Sequence, residues 1–116
     1  MKTETFVFEN TEYTIYVGQN KNENWELIDA AEKTDIWFHI DGVPSCHVIL
    51  VNMNVVKLRD VPRQVIKRCA YLCKINSSAL VKSMPKCVVI YTSISEVVKT
   101  EIVGQVSVSN SKSVTL

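Results

Sequence analysis

The sequence predicts an α+β domain, a mainly antiparallel sheet with one long amphipathic helix packed on it and a short second helix. Three observations carry that prediction. Short runs of β-branched and aromatic residues, bounded by turn formers, recur over 5–17, 36–51 and 87–116. Between Val61 and Cys73 the apolar spacing switches to the 3.6-residue period of a helix. The length of 116 residues, with 47% hydrophobic side chains, supplies one core and leaves no room for a second, so 1–116 is read as a single domain.

In chain order, Thr5-Phe6-Val7-Phe8 and Thr14-Ile15-Tyr16-Val17 flank Glu9-Asn10-Thr11-Glu12 and predict an opening hairpin closed by Gly18. A polar loop over 19–24 follows, and Asn24 is expected to cap a short helix over 25–33 with Trp25, Ile28 and Ala31 or Glu32 on successive turns. Runs over 36–40 and 48–51 predict two antiparallel strands around the turn-forming Asp41-Gly42-Val43-Pro44-Ser45-Cys46. Strand side chains alternate, so Ile36, Phe38 and Ile40 share one face, and Trp37 and His39 the other. Both faces are apolar, which marks a central, covered strand.

The long helix is predicted over 61–74. Val61, Val65, Ile66, Cys69, Leu72 and Cys73 form its apolar stripe, while Arg63, Lys67 and Lys74 fall on the opposite side. Asp60 is its expected N-cap, Pro62 sits in the first turn where a missing N–H costs nothing, and Asn76-Ser77-Ser78 ends it. A strand over 87–91, another over 102–108 bent at Gly104, and an edge strand over 113–116 complete the expected sheet.

Composition narrows the function classes. Charged residues make up 22% of the chain and glycine and proline are few, which excludes disordered, collagen-like and mucin-like readings. No apolar run reaches the ~18–20 residues of a membrane span, and Met1-Lys2-Thr3-Glu4 lacks the pattern of a secretory signal. A cytoplasmic protein with no membrane anchor is therefore expected. The four cysteines include no CxxC, which argues for free thiols in a reducing compartment and against a zinc ribbon or a thioredoxin motif.

A net charge of +1 conceals a strong sorting along the chain. Residues 1–56 hold three basic and nine acidic side chains, whereas 57–86 hold Lys57, Arg59, Arg63, Lys67, Arg68, Lys74, Lys82 and Lys86 against Asp60 alone. A basic stripe of this kind is the electrostatic footprint of a polyanion site. Its alternative is a solvated face that meets the acidic N-terminal half inside the fold. Tyr71, between Arg68 and Lys74, is the aromatic residue placed to stack on an unpaired base.

Catalytic chemistry finds little material. His39 and His47 end and begin the two central strands, and with Asp35, Asp41 and Cys46 they offer ligand types for zinc, but their spacing matches no established zinc pattern. Cys46 and His47 are strand neighbours pointing to opposite faces, which separates them as a nucleophile and base. Ser45 with His47 survives that objection, yet no G-x-S-x-G elbow, phosphate-cradling glycine loop or oxyanion provision accompanies them, and the chain has three glycines. No catalytic residue, metal or cofactor is expected, and the two histidines are read as holding the central hairpin.

The order Val17-Gly18-Gln19-Asn20, Asp35-Ile36-Trp37-Phe38-His39-Ile40, Ser45-Cys46-His47-Val48-Ile49-Leu50, Cys69-Ala70-Tyr71-Leu72, Val88-Val89-Ile90-Tyr91-Thr92 and Val103-Gly104-Gln105-Val106 resembles the NFACT-R domain family across nearly the whole chain. Asp35, Trp37, His39, Ser45 and His47 carry its most specific signature. The resemblance implies a non-enzymatic nucleic-acid-binding module, associated in larger relatives with stalled large ribosomal subunits and tRNA. RNA, as tRNA or ribosomal RNA, is the expected partner, and DNA is the other nucleic acid such a module can take. Lys57, Arg59, Arg63, Lys67, Arg68, Tyr71, Lys74, Lys82 and Lys86 are the candidate contacts. A protein-interaction module whose basic face docks an acidic partner is the alternative.

Overall fold

Glu9 and Asn10, with φ of 49° and 64°, both adopt left-handed backbone. That is the geometry of a two-residue hairpin turn whose twist matches its strands. It joins β1 (Lys2–Phe8) to β2 (Thr11–Gly18), in register from Lys2 opposite Val17 to Phe8 opposite Thr11. Thr11 and Glu12, expected in the connection, already belong to β2. The computed structural model describes residues 1–53 and 55–116.

The first helix, α1 (Lys21–Ala30), starts four residues earlier than expected. Asn20, not Asn24, is its cap: Asn20 Oδ1 accepts from the Glu23 N–H at 2.9 Å, and the Glu23 carboxylate accepts from the Gln19 N–H at 2.9 Å. This reciprocal exchange is close to a capping box, in which a polar cap and a glutamate three residues on satisfy the free N–H groups of the first turn. Asn24 lies inside the helix, buried against the sheet, and there is no room for more at that contact. A methyl on Gly18 would stand 2.4 Å from Asn24 Oδ1.

β3 (Ile36–Ile40) and β4 (His47–Leu50) pair antiparallel, as expected, and sit at the centre of a six-stranded sheet of order β1-β2-β4-β3-β5-β8, where β5 is Val88–Ser93 and β8 is Lys112–Thr115. Every neighbouring pair in this sheet is antiparallel. The mainly antiparallel α+β architecture expected from the sequence is present, but three helices accompany it rather than one long and one short. α2 (Arg63–Ile75) has 13 residues and α1 has 10, while α3 (Ala79–Lys82) is a single turn capped by Ser78. α2 begins after Pro62, because a residue preceding proline is pushed to extended backbone and Val61 has φ −71° and ψ 129°. Asp60, the expected cap, ends a 3₁₀ turn over Leu58–Asp60 instead.

Two layers cover the sheet. On one face Val65, Ile66, Cys69, Ala70, Leu72 and Cys73 of α2, with Val81 of α3, pack on Ile15, Val17, Ile36, Phe38, Ile40, Val48, Leu50 and Val89. On the other, Leu27 of α1 meets Trp37 and Ile49, joined by Val97 and by Val106 and Val108. Those valines come from a separate two-stranded hairpin, β6 (Val97–Lys99) with β7 (Val106–Val108). The strand expected over 102–108 is thus confined to its last three residues. Thr100 N–H bonds to the Gln105 carbonyl and Gln105 N–H to that of Ile102, curling 100–105 into a turn in which Gly104 supplies φ 84°. β3 is therefore covered on both faces by different elements. Each of its fully buried apolar side chains contributes about 1.5–3 kcal/mol by leaving water.

Candidate functional site

The signature residues divide between the two ends of β3. At its start, the Asp35 carboxylate accepts from Glu32 N–H at 3.0 Å and from Asn52 N–H at 2.9 Å, tying the end of the α1 connection to the exit of β4. At its other end, Ser45 Oγ accepts from Ile40 N–H at 3.0 Å and donates to the Cys46 carbonyl at 2.9 Å, which closes the β3–β4 turn. Ser45 is not hydrogen-bonded to His47 among the described residues, so the geometry of a nucleophile and base is missing.

Between these anchors Trp37, His39 and His47 form one aromatic cluster on the α1 side of the sheet. The Trp37 indole N–H donates to His47 Nδ1 at 3.1 Å. Trp37 stacks on His39 with ring centroids 5.5 Å apart, and His39 meets His47 edge to face at 5.1 Å. His39 Nδ1 bonds the Ile40 carbonyl at 2.5 Å, and that carbonyl can only accept, so the proton sits on Nδ1. His47 N–H bonds to Asn24 Oδ1 at 3.1 Å. Among the described residues the histidine rings make no hydrogen bond to Asp35 or Asp41. Their partners are Trp37 and the backbone. No group of three or more histidine, cysteine, aspartate or glutamate side chains suited to a metal ion occurs among the described residues.

Burial pushes the His47 imidazole down to about 3, and His39 beside it adds to the shift; burial also lowers His39. His47 is neutral in the fold but takes a proton near its ordinary 6.5 once unfolding exposes it. The unfolded chain then binds protons more readily, so this contribution to stability is complete above about pH 6.5 and is lost as pH falls toward about 3. The urea midpoint is expected to drop from about pH 7 to about pH 5, above the range where Glu4 titrates, and to drop less in His47→Gln. An equal drop in both proteins would remove His47 as the cause.

The cluster opens into a groove of about 840 Å³. Its walls come from the start of α1 (Gln19, Asn20), the β3–β4 turn (Cys46), the end of α2 (Ser77) and the β6–β7 turn (Gly104), with His39 and His47 at its base. Among the lysines and arginines only Lys21 lines it. Gln19, Asn20, Cys46 and Gly104 all stand in the motifs that carry the family resemblance, but their meeting in one groove was not legible because they come from segments far apart in the chain.

The basic candidates lie elsewhere. Lys57, Arg59, Arg63, Lys67, Lys82 and Lys86 are exposed, and none of the six is ion-paired among the described residues. Arg68 is engaged: its guanidinium grips the Glu4 carboxylate at 2.5 and 2.7 Å and lies 5.5 Å from the Tyr71 ring centroid. Lys74 is engaged too, donating to the Met84 carbonyl at 3.2 Å. Glu4 is held below the usual carboxylate range by Arg68. One contact between the acidic N-terminal third and the basic segment is thus internal to the fold, while Arg63 and Lys67 point outward from α2. Tyr71 is 47% exposed beside them. The signature and the basic ridge are two separate places on the molecule.

Comparison with known proteins gives a consistent picture. The model of the NFACT protein RNA binding domain matches residues 2–110. Coiled-coil domain-containing protein 25 of Mus musculus is 41% identical over 104 residues, covering 88% of this chain and 50% of that protein. The Rqc2 homolog RqcH of Streptococcus suis is 30% identical over 82 residues, 70% of this chain and 15% of that protein. Among solved structures, the C-terminal part of the fibronectin/fibrinogen-binding protein from Streptococcus suis superposes with a TM-score of 0.81 at 24% identity, over 100% of this chain and 45% of that one. That likeness is one of fold. The chain spans about half the length, 50%, of curated relatives such as the mouse protein.

Proposed function

The chain belongs to the NFACT protein RNA binding domain family, and from that premise we propose that it is a non-enzymatic RNA-binding module acting on tRNA or ribosomal RNA in the cytoplasm. The observation that carries the reading is the outward row of Arg63 and Lys67 on α2, flanked by Lys57, Arg59, Lys82 and Lys86, which are exposed and without ion-pair partners among the described residues. Lysine and arginine at a surface bind a polyanion by displacing its condensed counterions, which needs charge density and no cavity. Exposed Tyr71 adds a ring on which an unpaired base can stack. Arg68 and Lys74 act at second hand, holding Tyr71 and the end of α2 in place through their internal partners. No helix among the described residues is long and apolar enough to cross a membrane.

The test is an anisotropy titration of labelled single-stranded RNA across a series of salt concentrations, with single-stranded DNA and an acidic peptide as competitors. Each phosphate neutralised on a single strand contributes ~0.7 to the slope of log affinity against log salt, so six engaged cations set a limit of about 4. RNA binding with such a slope, and a 260 nm absorbance excess that survives purification, are expected. An acidic peptide that binds where RNA does not would replace this reading with a protein-docking one, and preference for DNA would change the nucleic acid.

A further inference from the structure

We propose that Cys46 and Cys73 form a peroxide-sensitive thiol pair that closes reversibly to a disulfide, tying the turn before β4 to the last turns of α2. The two Sγ atoms lie 3.9 Å apart. Each thiol also reaches the other's backbone: Cys46 Sγ is 3.2 Å from the Cys73 carbonyl and Cys73 Sγ is 3.3 Å from the Cys46 carbonyl. Thiols in contact with each other and with each other's main chain are placed to close to the ~2.05 Å of a disulfide. Cys69 and Cys87 are free and buried as well, yet neither makes a hydrogen bond to another thiol among the described residues. The pairing is specific within the four.

Access and activation fall on the same sulfur. Cys46, 6% exposed, lines the groove described above with Ser77 on the same wall, whereas Cys73 is 0% exposed and does not line it. Ser77 braces the pair: its hydroxyl donates to the Cys73 carbonyl at 2.6 Å and accepts from the Cys46 N–H at 3.2 Å, while Cys46 Sγ lies 3.6 Å from Ser77 Oγ and 3.9 Å from Cys73 Sγ. Donation from Cys73 holds the Cys46 thiol below its ordinary range, and Cys73 is raised by the same contact and by burial. Cys46 is therefore the attacking thiol and Cys73 the resolving one, since the thiolate is the nucleophile.

The oxidant is hydrogen peroxide. Cys46 sulfur attacks one peroxide oxygen, the O–O bond breaks, and the thiol proton leaves with the departing hydroxide as water, leaving Cys46 as a sulfenic acid. Cys73 sulfur then attacks Cys46 sulfur, the S–O bond breaks, and the Cys73 proton leaves with the hydroxide as a second water. Two thiols are oxidised by two electrons to one disulfide while one peroxide is reduced to two waters. The bond would lock one wall of the groove, because Cys46 and Ser77 both belong to it.

Peptide mapping of the full folded chain after brief treatment with hydrogen peroxide tests this. The expected wild-type product has lost two hydrogens, keeps two of its four thiols open to alkylation, and contains one cross-linked peptide pair joining Cys46 to Cys73, reversed by dithiothreitol. Fragmentation of that pair separates Cys73 from Cys69. In Cys73→Ser the reaction should stop at a Cys46 sulfenic acid trapped by dimedone, and Cys87→Ser should cross-link like wild type. The wild-type map stands alone if a variant does not fold. Four thiols still open after peroxide, or a bond involving Cys69 or Cys87, would overturn the proposal.

Discussion

Trp37→Ala is expected to lower the unfolding free energy by about 3–5 kcal/mol, the cost of emptying a large aromatic site that cannot collapse. The ring is 1% exposed at the centre of the sheet, packed with Leu27, Ile49, Ile94 and Val97. Its removal also orphans His47 Nδ1, which accepts the indole N–H at 3.1 Å on a residue 1% exposed. Trp37→Phe separates the two contributions. Keeping most of the ring and losing only the N–H should cost about 1–3 kcal/mol, since a buried acceptor is left unsatisfied. Chemical denaturation of the three proteins at neutral pH measures both. A loss below about 1 kcal/mol for Trp37→Ala would show that this face of β3 is not core.

That face was legible in the sequence for a physical reason. A strand buried on both sides must be nearly continuous in apolar and aromatic residues, so Ile36-Trp37-Phe38-His39-Ile40 announces its central place without any knowledge of its neighbours. The α2 stripe was legible by the same logic, since one buried face imposes a 3.6-residue period. What escaped were elements whose burial is shared with distant segments. β6 is three residues long and only Val97 of it is buried, too little for a pattern. α1 carries its start in a side-chain exchange between Asn20 and Glu23 rather than in apolar spacing. The same limit applies to the candidate site. Helical spacing alone put Arg63 and Lys67 on the outer side of α2. Spacing gave no sign that Arg68 would meet Glu4, 64 residues away, or that Lys74 would turn to Met84. The groove beside His39 and His47 is lined by segments scattered from Gln19 to Val108, so the signature residues Trp37, His39, Ser45 and His47 were legible along the chain while the cavity they share was not.

Arg63→Glu combined with Lys67→Glu bears most directly on the account, because both side chains are exposed on α2, carry no internal bond among the described residues and can be reversed without disturbing the core. At ~0.1 M salt each phosphate contact on a single strand is worth ~0.7 of a log unit through counterion release, so losing two should weaken RNA binding about 25-fold. The slope of log affinity against log salt should flatten by about 1.4, and the loss should be similar for every RNA sequence, since phosphate contacts carry no base information. The deciding measurement is that slope, determined for wild type and for the double variant after circular dichroism has shown both folded. A flattened slope with weakened, sequence-independent binding is the predicted result; wild-type affinity and slope in the folded variant would contradict it and reduce the basic helix to a solvated face.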